Sequence, residues 1–204
     1  RVDRRQRQMC IRDRDDIQSA MILAQEGDTI ALTAGVYNLN HGLSLDVDNI
    51  ILKGEGHKKT ILNFSEQKTG AQGLLVTSNN ITLRDFAVEN AKGDAIKSKG
   101  SKNIKFLNLR TEWTNGPDTK NGAYGLYPVE SKNVLIDGCV AIGASDAGVY
   151  VGQSENIIVR NTEAYFNVAG IEIENSYYAD VYDNVAENNT CLLYTSPSPR
   201  DQRG

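Results

Sequence analysis

Lys97, Tyr127, Tyr150 and Glu172 occupy one position in four successive repeats of the chain. Each lies two residues after the residue that opens an alternating apolar run: Ala95, Gly125, Gly148 or Gly170. Side chains of an extended strand alternate between faces, so equivalent positions in stacked strands form one outward column. Two phenols between an ammonium and a carboxylate suit a sugar. Aromatic faces pack on pyranose rings, and the charges can bind hydroxyls or meet a uronate carboxylate. Trp113, the single tryptophan, and Lys120 lie on a Gly- and Pro-marked loop directly before the column and are expected to wall one side of it. The expected ligand is a polysaccharide or oligosaccharide. The competing reading is an ordinary sheet surface, because Tyr is a good strand residue in any setting.

Catalytic residues are not assigned. Asp94, Glu130, Asp137, Asp146, Glu155, Glu163, Glu172 and Glu174 are spread along the repeats, and only Asp94 and Asp146 recur, near repeat starts. Arg84, Asp137 and Arg160 share a position after a second run, and Asp137 with Arg160 reads as a surface ion pair of small energetic weight. His41 and His57 fall toward the N-terminal end, away from the column. Cys139, within Asp137-Gly138-Cys139-Val140, reads as a small buried residue rather than a reactive thiol. No metal-ligand spacing occurs and no cofactor is expected.

What positions the column is a repeat. Asn49, Asn80, Asn103, Asn133 and Asn156 each open an Asn-apolar-x-apolar run, at spacings of 31, 23, 30 and 23, and Tyr178 opens a weaker copy 22 residues later. A period near 22–23 with two insertions is a solenoid signature. Short alternating runs rich in Val, Ile and Tyr, broken by Gly, Asn, Ser and Asp, make the repeat β. The expectation is an all-β parallel solenoid with one Asn at the same turn of every coil. Stacked amides there would hydrogen-bond along the axis and take backbone conformations that most residues avoid.

Asp15 to Gly27 is the one expected helix, with Ile17, Ala20, Met21 and Ala24 on one stripe and Leu23 beside it. It is expected to cap the solenoid at 15–27, with coils over 28–190. The two ends read differently. Gln8-Met9-Cys10-Ile11-Arg12-Asp13 resembles a translated sequencing adapter, and Cys191 to Asp201 resembles the same adapter on the opposite strand. Residues 1–14 and 191–204 are therefore expected to be adapter-derived, with the solenoid cut before its C-terminal cap. The whole chain carries a formal charge of −4; without the eight Arg and three Asp of the ends, 14 basic and 23 acidic residues leave −9. That balance argues against nucleic acid as a partner. No apolar run approaches the roughly 20 residues of a membrane span. A monomer is expected.

The helix followed by Gly27-Asp28-Thr29-Ile30 and Gly35-Val36-Tyr37, together with the Asn-led and Gly-led runs, resembles the right-handed parallel β-helix repeat superfamily. That group includes pectin-lyase-like enzymes and NosD-type periplasmic proteins. The resemblance covers Asp15 to Thr190 and implies a right-handed β-helix and a secreted or periplasmic protein that binds or processes polysaccharide, uronate-containing polymers included. Calcium enters only through the resemblance, because uronate lyases of this fold use acidic Ca²⁺ ligands with an Arg or Lys base. Neither His lies in an Asp-Pro-His-Asp motif like that of the β-helical uronate epimerases, and the double-Asp signature of polygalacturonases is absent. A non-catalytic scaffold or periplasmic assembly factor is the alternative. A lyase or epimerase with its active site in missing coils is a weaker one.

Overall fold

The computed structural model describes residues 7–13 and 15–195. Among these, short parallel strands build a right-handed β-helix with three sheets running along its axis. The ladder sheet has eight strands, from Gln8–Ile11 and Thr29–Leu32 through Lys132–Asp137 and Glu155–Arg160 to Tyr177–Tyr182. The site sheet has seven: His41–Leu45, Thr69–Val76, Asp94–Lys99, Tyr124–Val129, Ala147–Gly152, Ala169–Glu174 and Cys191–Thr195. The third sheet, also seven-stranded, runs from Gly35–Asn38 to Val185–Glu187.

Alternation within each strand sends every second side chain into the coil. Leu52, Leu83, Phe106, Ile136 and Val159 are stacked in register on the ladder sheet, and Leu74, Ile96, Leu126, Val149 and Ile171 on the site sheet. All ten are buried. Burying such a side chain is worth about 1.5–3 kcal/mol, so each coil brings its own share of core.

The Asn side chains line up along one corner of the coils. Asn80, Asn103, Asn133 and Asn156 each donate from Nδ2 to the Oδ1 of the preceding Asn at 2.9, 2.6, 2.7 and 3.1 Å. All five residues have φ between 56° and 61°. Asn tolerates this left-handed conformation better than other non-glycine residues, which is why it recurs at the corner. Tyr178 keeps the same φ, 57°, but has no amide to extend the ladder.

The helix spans Asp15–Leu23, shorter than the 15–27 expected from sequence. Ile17 and Met21 are fully buried and Ala20 and Ala24 nearly so, whereas Leu23 is 69% exposed and does not join the stripe. Gln18 fastens the helix to the site sheet: its Oε1 accepts the Ser44 N–H at 2.9 Å and its Nε2 donates to the Ser44 carbonyl at 3.1 Å. Both terminal stretches set apart in the sequence contribute strands. Gln8–Ile11 pairs with Thr29–Leu32, burying Ile11, and Cys191–Thr195 pairs with Ala169–Ile173.

Candidate active face on the site sheet

Lys97 is in register with Tyr127, and Tyr150 with Glu172, on neighbouring strands of the site sheet. The Tyr127 and Tyr150 rings meet edge to face with centroids 5.1 Å apart. Lys97 Nζ lies 4.3 Å from the Tyr127 ring centroid and 3.6 Å from Asp94 Oδ2. The column read from the spacing is therefore contiguous. It is not flat: Tyr150 is only 7% exposed, because other rings lean over it.

One of those rings was not anticipated. Tyr124 packs 4.6 Å from both Tyr127 and Tyr150, completing a three-ring cluster. Strict alternation would put residues 124 and 127 on opposite faces, but Tyr124 is the first residue of its strand, where the chain is still leaving the corner. Its register partner is Ala147, followed by Ala169, so a ring can lie where larger side chains would block it. A second small residue shapes the platform. A Cβ on Gly152 would stand 2.6 Å from Tyr150 Cε1, so the Tyr150 ring folds down over this glycine. There its hydroxyl donates to a Glu174 carboxylate oxygen.

Charge is arranged around the rings. At the Lys97 end, burial raises the Asp94 carboxyl above its ordinary range, opposed by Lys97. At the other end, burial raises Glu172, and the neighbouring Asp146 and Glu174 charges add to the effect. Burial also raises all three phenols, with the Asp146 charge contributing at Tyr124 and the hydrogen-bonded Glu174 carboxylate at Tyr150. The tyrosines therefore remain protonated at neutral pH and can donate hydrogen bonds. The face offers apolar rings, phenolic donors, one ammonium and a group of carboxylates. Among the described residues no group of three or more His, Cys, Asp and Glu side chains is placed to hold a metal ion, so the calcium ligands implied by the resemblance are not matched.

Trp113 and Lys120 do not wall this face. Trp113 is 5% exposed, packs in the core and donates its indole N–H to the Ala91 carbonyl at 2.8 Å. Its loop folds inward because Gly122 presses against the Gly93 carbonyl, where a Cβ would come within 1.7 Å. Lys120 instead lines a polar cleft of about 520 Å³ that also includes Asn90 and Lys92. Asp137 and Arg160 form the expected ion pair, at 2.8 Å. The His57 carbonyl accepts from Arg110, a residue of the third sheet that also pairs with Glu89 and Glu112, so this histidine is remote from the tyrosines.

Several solved structures share this fold. The A-module of a mannuronan C-5 epimerase from Azotobacter vinelandii superposes with a TM-score of 0.70 at 20% identity, over 90% of this chain and 56% of that one. An exopolygalacturonase of family 28 from Yersinia enterocolitica gives 0.64 at 13% identity, over 88% and 48%. An alginate lyase from Paenibacillus sp. gives 0.56 at 13% identity, over 87% and 75%. The chain thus spans about half the length of the first two. These neighbours are enzymes of polysaccharides, and at such identities the likeness concerns the fold. No curated protein sequence matches the chain. A family model described as "Right handed beta helix region" matches residues 48–199, and the chain belongs to that family.

Proposed function

We propose that the protein is exported and binds a polysaccharide strand across Tyr124, Tyr127 and Tyr150, with Lys97 and Glu172 at the two ends of the contact. The observation that carries this reading is the three-ring cluster itself, raised on the outer face of a rigid sheet. Packed aromatic rings present apolar area at low entropic cost, and the protonated Tyr127 hydroxyl supplies a donor to sugar oxygens, the Tyr150 hydroxyl being already engaged by Glu174. Lys97 suits a uronate carboxylate, which supports acidic polymers among the ligands. The polysaccharide enzymes that share the fold support the same class of ligand.

Calorimetric titration of the full chain with uronate and neutral oligosaccharides tests the proposal. Micromolar to millimolar binding is expected, with Tyr127→Ala and Tyr150→Ala together abolishing it. Undiminished affinity in the double variant would remove the site assignment.

One observation favours a second reading, in which the same face also processes its glycan. The Asp146 carboxylate is close enough to the Tyr124 phenol for its charge to help raise it, which places a proton donor and a carboxylate acceptor together at the platform. Uronate polymers incubated with the chain would then show unsaturated ends by ultraviolet absorbance, new reducing ends, or inverted centres by proton NMR. A chain that binds but produces none of these is a binding protein.

A further inference from the structure

Lys120 was expected beside the tyrosines, and the place it occupies instead has a charge character of its own. The cleft lies at the turns that precede Thr69–Val76, Asp94–Lys99 and Tyr124–Val129, at the edge of the site sheet where these strands begin. Gln67, Asn90, Lys92, Trp113, Lys120 and Asn121 are among its lining residues, and none of the lining residues is an Asp or a Glu. Neither Lys92 nor Lys120 is in a salt bridge among the described residues. Two lysines thus line one concavity and neither is held by a salt bridge, on a chain whose net charge is −4. Of the carboxylates nearest in sequence, Asp118 accepts the backbone N–H of Lys120 at 2.9 Å and lines a different depression, and Asp94 lies 3.6 Å from Lys97 Nζ and does not line the cleft.

The turns bearing both lysines are held in place. Gln67 is 8% exposed; its Nε2 donates to the carbonyls of Thr69, Gly70 and Gln72, and its Oε1 accepts the Lys92 N–H at 2.9 Å. Asn121 Nδ2 donates to the Gly116 and Gly143 carbonyls at 2.9 and 2.7 Å, fixing the chain next to Lys120. Trp113, anchored on Ala91, also lines the cleft. Backbone mounting of this kind lowers the ordering cost of binding.

We propose that this cleft is an anion-binding subsite that takes the carboxylate or sulfate group of a sugar unit. That the anion arrives on a glycan rests on the polysaccharide reading above; anion binding itself does not. The far end of the tyrosine face carries Asp146, Glu172 and Glu174, which repel such a group. A bound chain is thereby polarised, with acidic units at the Lys92/Lys120 end and uncharged units at the Glu172 end.

Two measurements on the full chain test this. The first follows backbone amide resonances during additions of sodium sulfate and of sodium glucuronate, against sodium chloride at equal ionic strength. Saturable shifts are expected at residues 90–92 and 114–121, and are expected to vanish in Lys92→Gln/Lys120→Gln, which replaces two exposed side chains. No saturable shift with either anion overturns the subsite, and a response to only one assigns the group it takes. The second compares uronate, sulfated and neutral oligosaccharides by calorimetry. The lysine variant should lose about tenfold in affinity for the acidic ligand and less than twofold for the neutral one. Equal losses for both overturn the subsite. Anion shifts without any glycan binding leave the subsite standing and overturn the glycan reading of the tyrosine face.

Discussion

At the scale of single residues, the Asn ladder combines two demands that few side chains meet together. Each corner needs φ near +57°, and each amide both donates and accepts along the axis. Asn133 sits between Asn103 and Asn156, so Asn133→Ala removes two side-chain bonds and leaves an Ala in a left-handed conformation. The expected cost is about 1–2 kcal/mol. For a chain of this size that lowers the melting temperature by about 3–6 °C. Asn133→Gly, which relieves the backbone and still loses the bonds, should fall between the two. A melting curve unchanged by Asn133→Ala would mean that the exposed ladder adds nothing. Cys139 makes a separate prediction. It is fully buried, and burial pushes its thiol up to about 12. Iodoacetamide should modify the exposed Cys10 in the native protein and reach Cys139 only after denaturant is added.

At the scale of elements, the Ala147–Gly152 strand shows how a platform is made from what a sheet leaves out. Ala147 makes room for the Tyr124 ring and Gly152 makes room for Tyr150. Gly152 is not in a left-handed conformation, and the atoms a new Cβ would meet belong to the Tyr150 ring. Gly152→Ala should therefore fold normally while lifting the Tyr150 ring away from Glu174. Melting within about 2 °C of the parent, with at least fivefold weaker glycan binding, is the expected pair of results. A large loss of stability would show that the ring cannot move. The coils were legible in the sequence because every repeat restates the same pattern of corner amide and alternating apolar residues. The Lys97–Tyr127–Tyr150–Glu172 column was legible for the same reason. Tyr124 was not, because alternation describes a strand's interior and this residue sits at its first position. The small residues facing it, Ala147 and Ala169, were the available signal. Trp113 was misplaced because Gly116 and Pro117 mark an exposed turn, yet the indole reaches back from that turn into the core.

At the scale of the whole molecule, charge is divided between carboxylates that folding strains and carboxylates that it favours. Asp94 and Glu172 are raised, chiefly by burial. Asp28 and Asp137 are lowered, by the Arg7 side chain and by Asn161 with Arg160 respectively. The two groups have opposite linkage. A raised carboxyl binds its proton more tightly in the folded state, so it weakens the fold once pH exceeds its folded value. That penalty vanishes below the unfolded value, 4.5 for Glu172 and 3.8 for Asp94. A lowered carboxyl stabilises above its unfolded value of 3.8 and loses that contribution as pH falls through its folded value. Melting temperature should accordingly rise as pH falls from 7 toward about 4.5, then drop below about 3.8. Glu172→Gln isolates one contribution. It should raise the melting temperature at pH 7, where the parent carries the strained charge, and have little effect at pH 4, where the parent is protonated. If the variant instead melts lower than the parent at pH 7 and equals it at pH 4, Glu172 is held by a favourable partner. The acidic end of the tyrosine face would then not repel an anionic sugar, and the polarity assigned to a bound chain would rest on Lys92 and Lys120 alone.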